Sequence, residues 1–305
     1  MITQAEHIET FIKGSIMGLL IGDAIGYAYQ FQKDIPVEID MINGPGNWGI
    51  GSYTSFSAIA LCTMASINDY MDEDEIDSEN LLEKFNDLLL GNYLAAGKDC
   101  VELGSIITEA ITRFTNGLPP DRCGTNKTND NECFSRILPI ALHTIHLTPK
   151  EIVPIIINAC NITHTHLRVH VCCILYAFII RNLLLQKSEK IFETAKEIFS
   201  DSEEYLKELT YIKNWKKDNK CSGSTQVEDC FWSMWDAYSY IDGYKFVVDE
   251  SIRYRNCSHV TAALAGSISA LANGLNDIPY KWLHTVSMSS EVMEIVNIFT
   301  QKCCE

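Results

Sequence analysis

The chain has 305 residues, with 24 Lys and Arg against 40 Asp and Glu, a formal net charge of −16 and a pI near 4.9. A hydrophobic fraction of 47% with 21% charged residues supplies a sizeable core and excludes global disorder. The acidity argues against a nucleic-acid partner and against an anionic membrane surface, because both need clustered Lys and Arg. A small anionic ligand stays open, since backbone amides and helix N-termini hold phosphate without net positive charge.

The N-terminal residues MITQAEHIETFIKG lack the basic-then-apolar order of a secretory leader. A 3.6-residue period predicts a first helix over 4–21, with Gly14, Gly18 and Gly22 on one face, where a second backbone can approach closely. Segment 34–54 is irregular, with four glycines from Gly44 to Gly51 and Trp48 among them, either closing a cleft or simply packed. Helices over 55–68, 79–96 and 100–115 follow, the second started by Ser78. The acidic run Met71–Glu79 between the first two reads as a solvated loop and helix start.

A polar loop, 117–132, precedes helices over 133–146, 149–160 and 166–186, with Thr148 and Pro149 as start signals for the middle one. His164, His166 and His170 crowd the start of the third, where His164 reads as a structural core histidine. The apolar run Val171–Leu185 contains Arg181 and is short for a bilayer, so a buried helix is expected and no transmembrane segment. Helices over 189–199, 202–213, 226–240, 244–253, 259–273 and 289–301 complete the chain. Asp201 and Ser202 start the second of these, a third polar loop spans 214–226, Lys207–Lys220 forms a solvated basic face, and Trp232 and Trp235 are read as core. No linker, repeat or strict alternation interrupts this pattern. The expectation is one all-α domain over 1–305 with a single compact core.

The 12 cysteines include no Cys-x-x-Cys pair, and the adjacent Cys172-Cys173 and Cys303-Cys304 do not fit the usual zinc-knuckle spacing. Most are expected to be free thiols packed as small apolar residues in a reducing, cytoplasmic compartment, whether in the producing cell or after delivery into another. Acylation of Cys303-Cys304 is a weaker alternative.

Four segments, in order, carry a family resemblance. They are Gly14-x-x-x-Gly18-x-x-x-Gly22-Asp23-Ala24-x-Gly26; Gly51-x-Tyr53-Thr54-Ser55-Phe56-Ser57; Asn131 with Arg136, Pro139 and then Thr163-His164-x-His166; and Thr261–Gly266 with Gly274, Ile278-Pro279 and Trp282. Together they resemble the ADP-ribosylglycohydrolase family, from about residue 10 to about residue 285. That resemblance implies an all-α fold and removal of ADP-ribose from modified side chains or related small molecules. It also implies a central cleft with two magnesium ions, held by a Thr-Asp-Asp-Thr run and an Asp-x-Asp-Thr run. A glutamate soon after the Gly-Asp-Ala segment belongs to the same active site.

This chain departs from that pattern at every one of those carboxylates. The first run reads Thr54-Ser55-Phe56-Ser57, the second Cys257-Ser258-His259-Val260, and the glutamate position Gln30. Magnesium binds hard, usually anionic oxygen, so no magnesium is expected here. A soft-metal site or a nucleophilic pair at Cys257 and His259 is left open. Cleavage through an oxocarbenium-like ribose still needs negative charge near the anomeric carbon. Asp23 and Glu132 are the candidate acidic catalysts. Their structural alternatives are a helix-end acceptor and an exposed loop residue. Gln30, Thr54, Ser55, Phe56, Ser57, Gly124, Asn131, His164, Cys257 and His259 are the candidate ligand-binding residues, in loops 22–31, 51–57, 124–134 and 255–259.

Two readings follow. One is a magnesium-independent ADP-ribosylhydrolase, with arginine linkage favoured. The other is a catalytically inactive binder of ADP-ribose or an ADP-ribosylated protein, for instance an antitoxin whose partner is an ADP-ribosyltransferase. A purely structural protein on the same fold is the third.

Overall fold

Glycine spacing in the first helix sets the centre of the molecule. In the computed structural model, which describes residues 4–30, 32–46, 48–70, 76–97, 103–240 and 242–304, α1 (Gln4–Gln30) lies antiparallel against α12 (Ser258–Asn273). The two backbones touch along their length. A Cβ added at Gly18 would stand 2.6 Å from the Gly266 carbonyl oxygen, one at Gly22 2.2 Å from that of Ala262, and one at Gly26 2.5 Å from the Cα of His259. No side chain fits between them, so only glycine at every fourth position allows this approach. Tyr244 reinforces the contact by donating from its hydroxyl to the Gly18 carbonyl at 2.8 Å.

Two further helices are enclosed on all sides. Phe56 to Ile67 are buried throughout α2 (Ser55–Asp69), and Val169 to Arg181 throughout α7 (Leu167–Leu184). A helix with no solvent face shows no amphipathic stripe. At 18 residues, α7 is long and apolar enough to cross a membrane, yet it is mostly buried inside the fold, with Arg181 donating to the Ile145 carbonyl at 2.6 Å. Around this centre lie α3 (Ser78–Gly91), α4 (Ser105–Thr115), α5 (Ile137–His143), α6 (Pro149–Asn161), α8 (Ile191–Ile198), α9 (Glu203–Asp218), α10 (Val227–Ser239), α11 (Tyr244–Arg253), α13 (Tyr280–Thr285) and α14 (Ser290–Lys302). Short 3-10 turns occupy Pro120–Arg122, Glu132–Arg136 and Leu275–Asp277. Among the described residues there is no strand, only isolated bridges pairing Thr125 with His164 and Asp130 with Gln226. The all-α expectation holds.

Several boundaries move for local reasons. α1 continues to Gln30 because its contact with α12 continues through Gly26. α3 stops at Gly91, where Asn92 turns left-handed at φ 55°. Its N-cap is Asp77 rather than Ser78, accepting from the amides of Glu79 and Asn80. The stretch 133–146 divides into a 3-10 turn and the short α5. α13 follows Pro279, and neither its length nor its composition gave a periodic signal. Trp232 and Trp235 are half-buried at the rim of the core rather than within it. Residues 71–75 and 100–102, parts of the acidic run and of the expected helix 100–115, lie outside the described residues.

The α1–α12 contact can be tested by size alone. Gly22→Ala should destabilise the protein by about 1–3 kcal/mol or more in urea denaturation, as overpacking does. Gly91→Ala, where an added Cβ meets nothing within 4 Å, should change stability by less than about 0.5 kcal/mol or raise it slightly.

Candidate functional site

The first turn of α2 leaves amide donors without helical partners, and Asp23 of α1 takes them. Its carboxylate accepts from the Thr54 amide at 2.9 Å, the Ser57 amide at 3.2 Å and the Thr54 hydroxyl at 2.9 Å. The Thr54 hydroxyl accepts in turn from the Phe56 amide at 3.1 Å. Asp23 is fully buried, and burial lifts its pKa to about 6, with the Ser57 and Thr54 donors limiting the rise. It therefore caps α2 from another helix. Asp23, Thr54 and Ser57 do not line the cleft, so their expected contacts with a ligand are replaced by contacts with one another.

The cleft itself, of about 320 Å³, opens between the end of α1, the starts of α2, α4 and α12, and the 3-10 turn 132–136. Gln30, Ser55, Phe56, Asn131, Glu132, Cys257 and His259 all line it. Gln30 and His259 form a short hydrogen bond between Oε1 and Nδ1. Because Oε1 only accepts, Nδ1 carries the proton. Burial pushes the imidazole down to about 4, so this pair is neutral. Cys257 Sγ lies 4.0 Å from the same Nδ1. That nitrogen is already a donor, and burial pushes the Cys257 thiol up to about 11. Deprotonation of Cys257 by His259 thus has neither a free base nor a favourable thiolate, and among the described residues no third donor joins the pair as a soft-metal site. Tyr27 sets the outer wall, edge-on to His259 at 6.0 Å and to Trp48 at 5.8 Å between ring centroids. Trp48 packs against this wall and donates to the Ser52 carbonyl at 2.8 Å.

Among the described residues that line the cleft, Glu132 is the carboxylate with free acceptor capacity. It is not the exposed loop residue that its neighbours in sequence suggest. Its Oε2 is buried and accepts no hydrogen bond. Its side chain occupies the space over Gly104, where a Cβ would fall 1.3 Å from Oε1. Burial, with Asp130 alongside, raises its pKa to about 7. Asp130 also lines the cleft and holds the turn in place, accepting from the Glu132 amide at 3.1 Å, from His164 Nε2 at 2.8 Å and, on its other oxygen, from Thr128 at 2.7 Å. Burial works against its charge, yet His164 keeps Asp130 below the usual carboxylate range. Burial likewise opposes charge on His164, but Asp130 and Cys133 outweigh it and lift the imidazole to about 9. His164 is fully enclosed and bonded to Thr163 through Nδ1, so it positions the turn and does not meet a ligand. Asn131 ties the turn to the Ser224 carbonyl at 3.4 Å.

Gly124 lies away from the cleft. A Cβ there would stand 2.1 Å from the Asn161 carbonyl, so the glycine serves the packing of its loop on α6. Tyr27 and Asp130, within the expected loops but not singled out there, also line the cleft, as do Gly104, Ser135 and Thr225, which were not anticipated. Asp130 had a signal, the acid-bearing run Asn129-Asp130-Asn131-Glu132, whereas Tyr27 and Gly104 meet it only through helix packing. At the positions where the resemblance places magnesium carboxylates stand the Ser55 hydroxyl, the Cys257 thiol, the His259 imidazole and the Phe56 ring, which offers no donor atom. The cluster of Asp130, Glu132 and His164 offers only Glu132 Oε2 without a partner, beside a cationic imidazole. These donors do not fit magnesium.

Comparison with known proteins finds one family in both sequence and fold. The model of the ADP-ribosylglycohydrolase family matches residues 5–305. The chain is 21% identical over 286 residues to an ADP-ribosyl-[dinitrogen reductase] glycohydrolase of Rhodospirillum rubrum, covering 91% of this chain and 90% of that protein. It is 21% identical over 293 residues to an ADP-ribosylarginine hydrolase of Pseudomonas putida strain GB-1, covering 93% and 76% respectively. A solved ADP-ribosylglycohydrolase-related protein complex shares the fold with a TM-score of 0.79 at 16% identity, covering 97% of this chain and 99% of that one.

The role of Asp23 has a pH signature. Its raised pKa means the folded chain holds a proton that the unfolded chain has released. The resulting stabilisation is complete below 3.8 and is lost as pH rises through about 6. Urea denaturation should show Asp23→Asn destabilised by about 1–3 kcal/mol at neutral pH, where cap donors lose their acceptor. The gap to the parent should widen toward pH 4 by at most about 3 kcal/mol.

Proposed function

The chain belongs to the ADP-ribosylglycohydrolase family, and we propose that it hydrolyses the N-glycosyl bond between ADP-ribose and a protein side chain, arginine foremost, without magnesium. The observation that carries this reading is the unpaired, cleft-lining carboxylate of Glu132. The similarity to an ADP-ribosylarginine hydrolase supports the linkage.

Cleavage of this bond builds positive charge on the ribose ring. A carboxylate in a low-dielectric wall stabilises that charge more strongly than one in water. With its free oxygen, Glu132 also orients and deprotonates the attacking water. A guanidine leaving group is basic and takes its proton readily, so a second carboxylic acid is not required. The hydrogen bond from the Glu132 amide to Asp130, itself fixed by His164, holds the turn still while charge develops. The neutral Gln30–His259 pair and Ser55 give ribose hydroxyls hydrogen-bond partners. Tyr27 and Phe56 provide apolar wall.

A second reading, a binder of ADP-ribose or of an ADP-ribosylated protein, is favoured by Phe56, an aromatic ring in the cleft beside the Glu132 carboxylate. Under it, an ADP-ribosyltransferase is the natural counterpart. Substrates carrying ADP-ribose on arginine, serine or aspartate, incubated in EDTA and in magnesium, separate the two. The first reading expects release of ADP-ribose from the arginine substrate at equal rates in both, and a rate that depends on magnesium would overturn its metal independence. Glu132→Gln should lower release by about 10²-fold or more, with calorimetric affinity for ADP-ribose changed little. Gly104→Ala, which must displace the carboxylate, should produce a comparable loss in the same assay. No release by the parent protein from any substrate, with ADP-ribose binding intact, would establish the binder.

A further inference from the structure

Behind the cleft wall, three cysteines meet that are far apart in sequence. Cys133 belongs to the 3-10 turn, Cys160 to the last turn of α6 and Cys173 to α7, and all three are fully buried. Their sulfurs lie within 4.8 Å of one another. Cys133 faces Cys160 and Cys173, with His164 nearby. Single buried cysteines pack as small apolar residues. Three thiols gathered in one place offer instead the sulfur donors of a thiophilic metal site.

The surroundings supply a second, independent observation. Arg136, one turn along, is fully buried. Its Nη1 donates to the Ala159 carbonyl at 3.1 Å, and its guanidinium lies 5.3 Å from the centre of the Phe85 ring. Its Nε and Nη2 have no acceptor. A buried guanidinium without an anion is costly. Three thiolates around a divalent ion carry one net negative charge, which this guanidinium offsets.

We propose that Cys133, Cys160 and Cys173 bind one thiophilic divalent cation of the zinc class through their three sulfurs. His164 stays outside the ligand set, with Nδ1 bonded to the Thr163 hydroxyl at 2.6 Å and Nε2 to Asp130 at 2.8 Å. On binding, each thiol gives up its proton to solvent, so three thiolates and the divalent ion together carry a single negative charge. Zn–S bonds of about 2.3 Å set bound sulfurs roughly 4 Å apart, so the three thiols close by about 1 Å at most. The three cysteines are sealed from solvent, and the ion enters as the chain folds.

The test uses the full chain, unfolded and refolded under reducing conditions with zinc, and in parallel with cobalt(II), then freed of excess metal. Elemental analysis should find about one zinc per chain, and the cobalt form should show visible bands with sulfur-to-cobalt charge transfer from thiolate ligation. Cys133→Ala, Cys160→Ala and Cys173→Ala should each lower retained zinc by about tenfold. Cys221→Ala and Cys303→Ala should leave it unchanged. Less than about a tenth of an equivalent of zinc in the refolded parent, or a cobalt spectrum without thiolate bands, would overturn the proposal. So would zinc retained in full by all three variants. If the alanine variants fail to fold, the parent's zinc content and cobalt spectrum decide the matter.

Discussion

The direct contact of the α1 and α12 backbones determines where everything functional stands. Gly18, Gly22 and Gly26 bring α1 so close to Gly266, Ala262 and His259 that neither helix can slide without a collision of main-chain atoms. Packed interiors behave as jigsaws rather than fluids, and this contact is a joint of backbone directly against backbone. The last turn of α1 and the first turn of α12 emerge from it side by side. Tyr27 and Gln30 from one, and Cys257 and His259 from the other, become a single cleft wall. Asp23, between Gly22 and Gly26, reaches sideways from the same joint to cap α2, which delivers Ser55 and Phe56 to the opposite wall. One line of small residues thus fixes three helix ends around one cavity.

This arrangement explains why Asp23 reads so convincingly as a catalytic acid in sequence and yet is not placed as one. It lies within a helix turn of cleft residues, and its carboxylate is surrounded by donors rather than by open space. The hydrogen bonds that would orient a catalytic carboxylate here stitch α1 to α2. Negative charge reaches the cleft from the other side, on the turn carrying Asp130 and Glu132. The two acids divide the work. Asp130 is satisfied by His164, Thr128 and the turn's own amide, so it is fixed and inert. Glu132 is enclosed but not satisfied, which is the condition under which a carboxylate gains most from a developing cation nearby.

The helices with full enclosure, α2 and α7, were legible because apolar runs of that length have few alternatives in an all-α chain. The glycine-lined face of α1 was legible because a four-residue spacing has a direct geometric meaning. Glu132 was legible as a chemical type in the wrong environment. Nothing in the polar run 117–132 reveals that it folds inward, since the cause is Gly104 lying opposite, in a different segment. Gly124 invited a ligand-contact reading, but a backbone that must approach something closely can approach protein as well as ligand, and here it meets Asn161. The cysteine trio was invisible for the same reason. Spacing rules recognise ligands that come in local pairs, and these three come singly from three elements that only the tertiary fold unites.

The 3-10 turn 132–136 is where these strands of the argument converge. Glu132 lines the cleft, while the next residue, Cys133, lies in the sealed thiol cluster, and Arg136 completes the turn with its charge buried against Phe85. A 3-10 turn is short and its hydrogen bonding is weak, so its conformation depends on what grips it from outside. Two grips are present. Asp130 holds the Glu132 amide from the cleft side, and the thiols and His164 hold Cys133 from the core side. His164 contacts both, through Asp130 and through Cys133, and is thereby the hinge between the cleft and the core. Any change that tightens the thiol cluster therefore stiffens the backbone carrying Glu132 without touching the cleft, so the position of the cleft carboxylate is set by the interior of the protein rather than by the loop on which sequence places it.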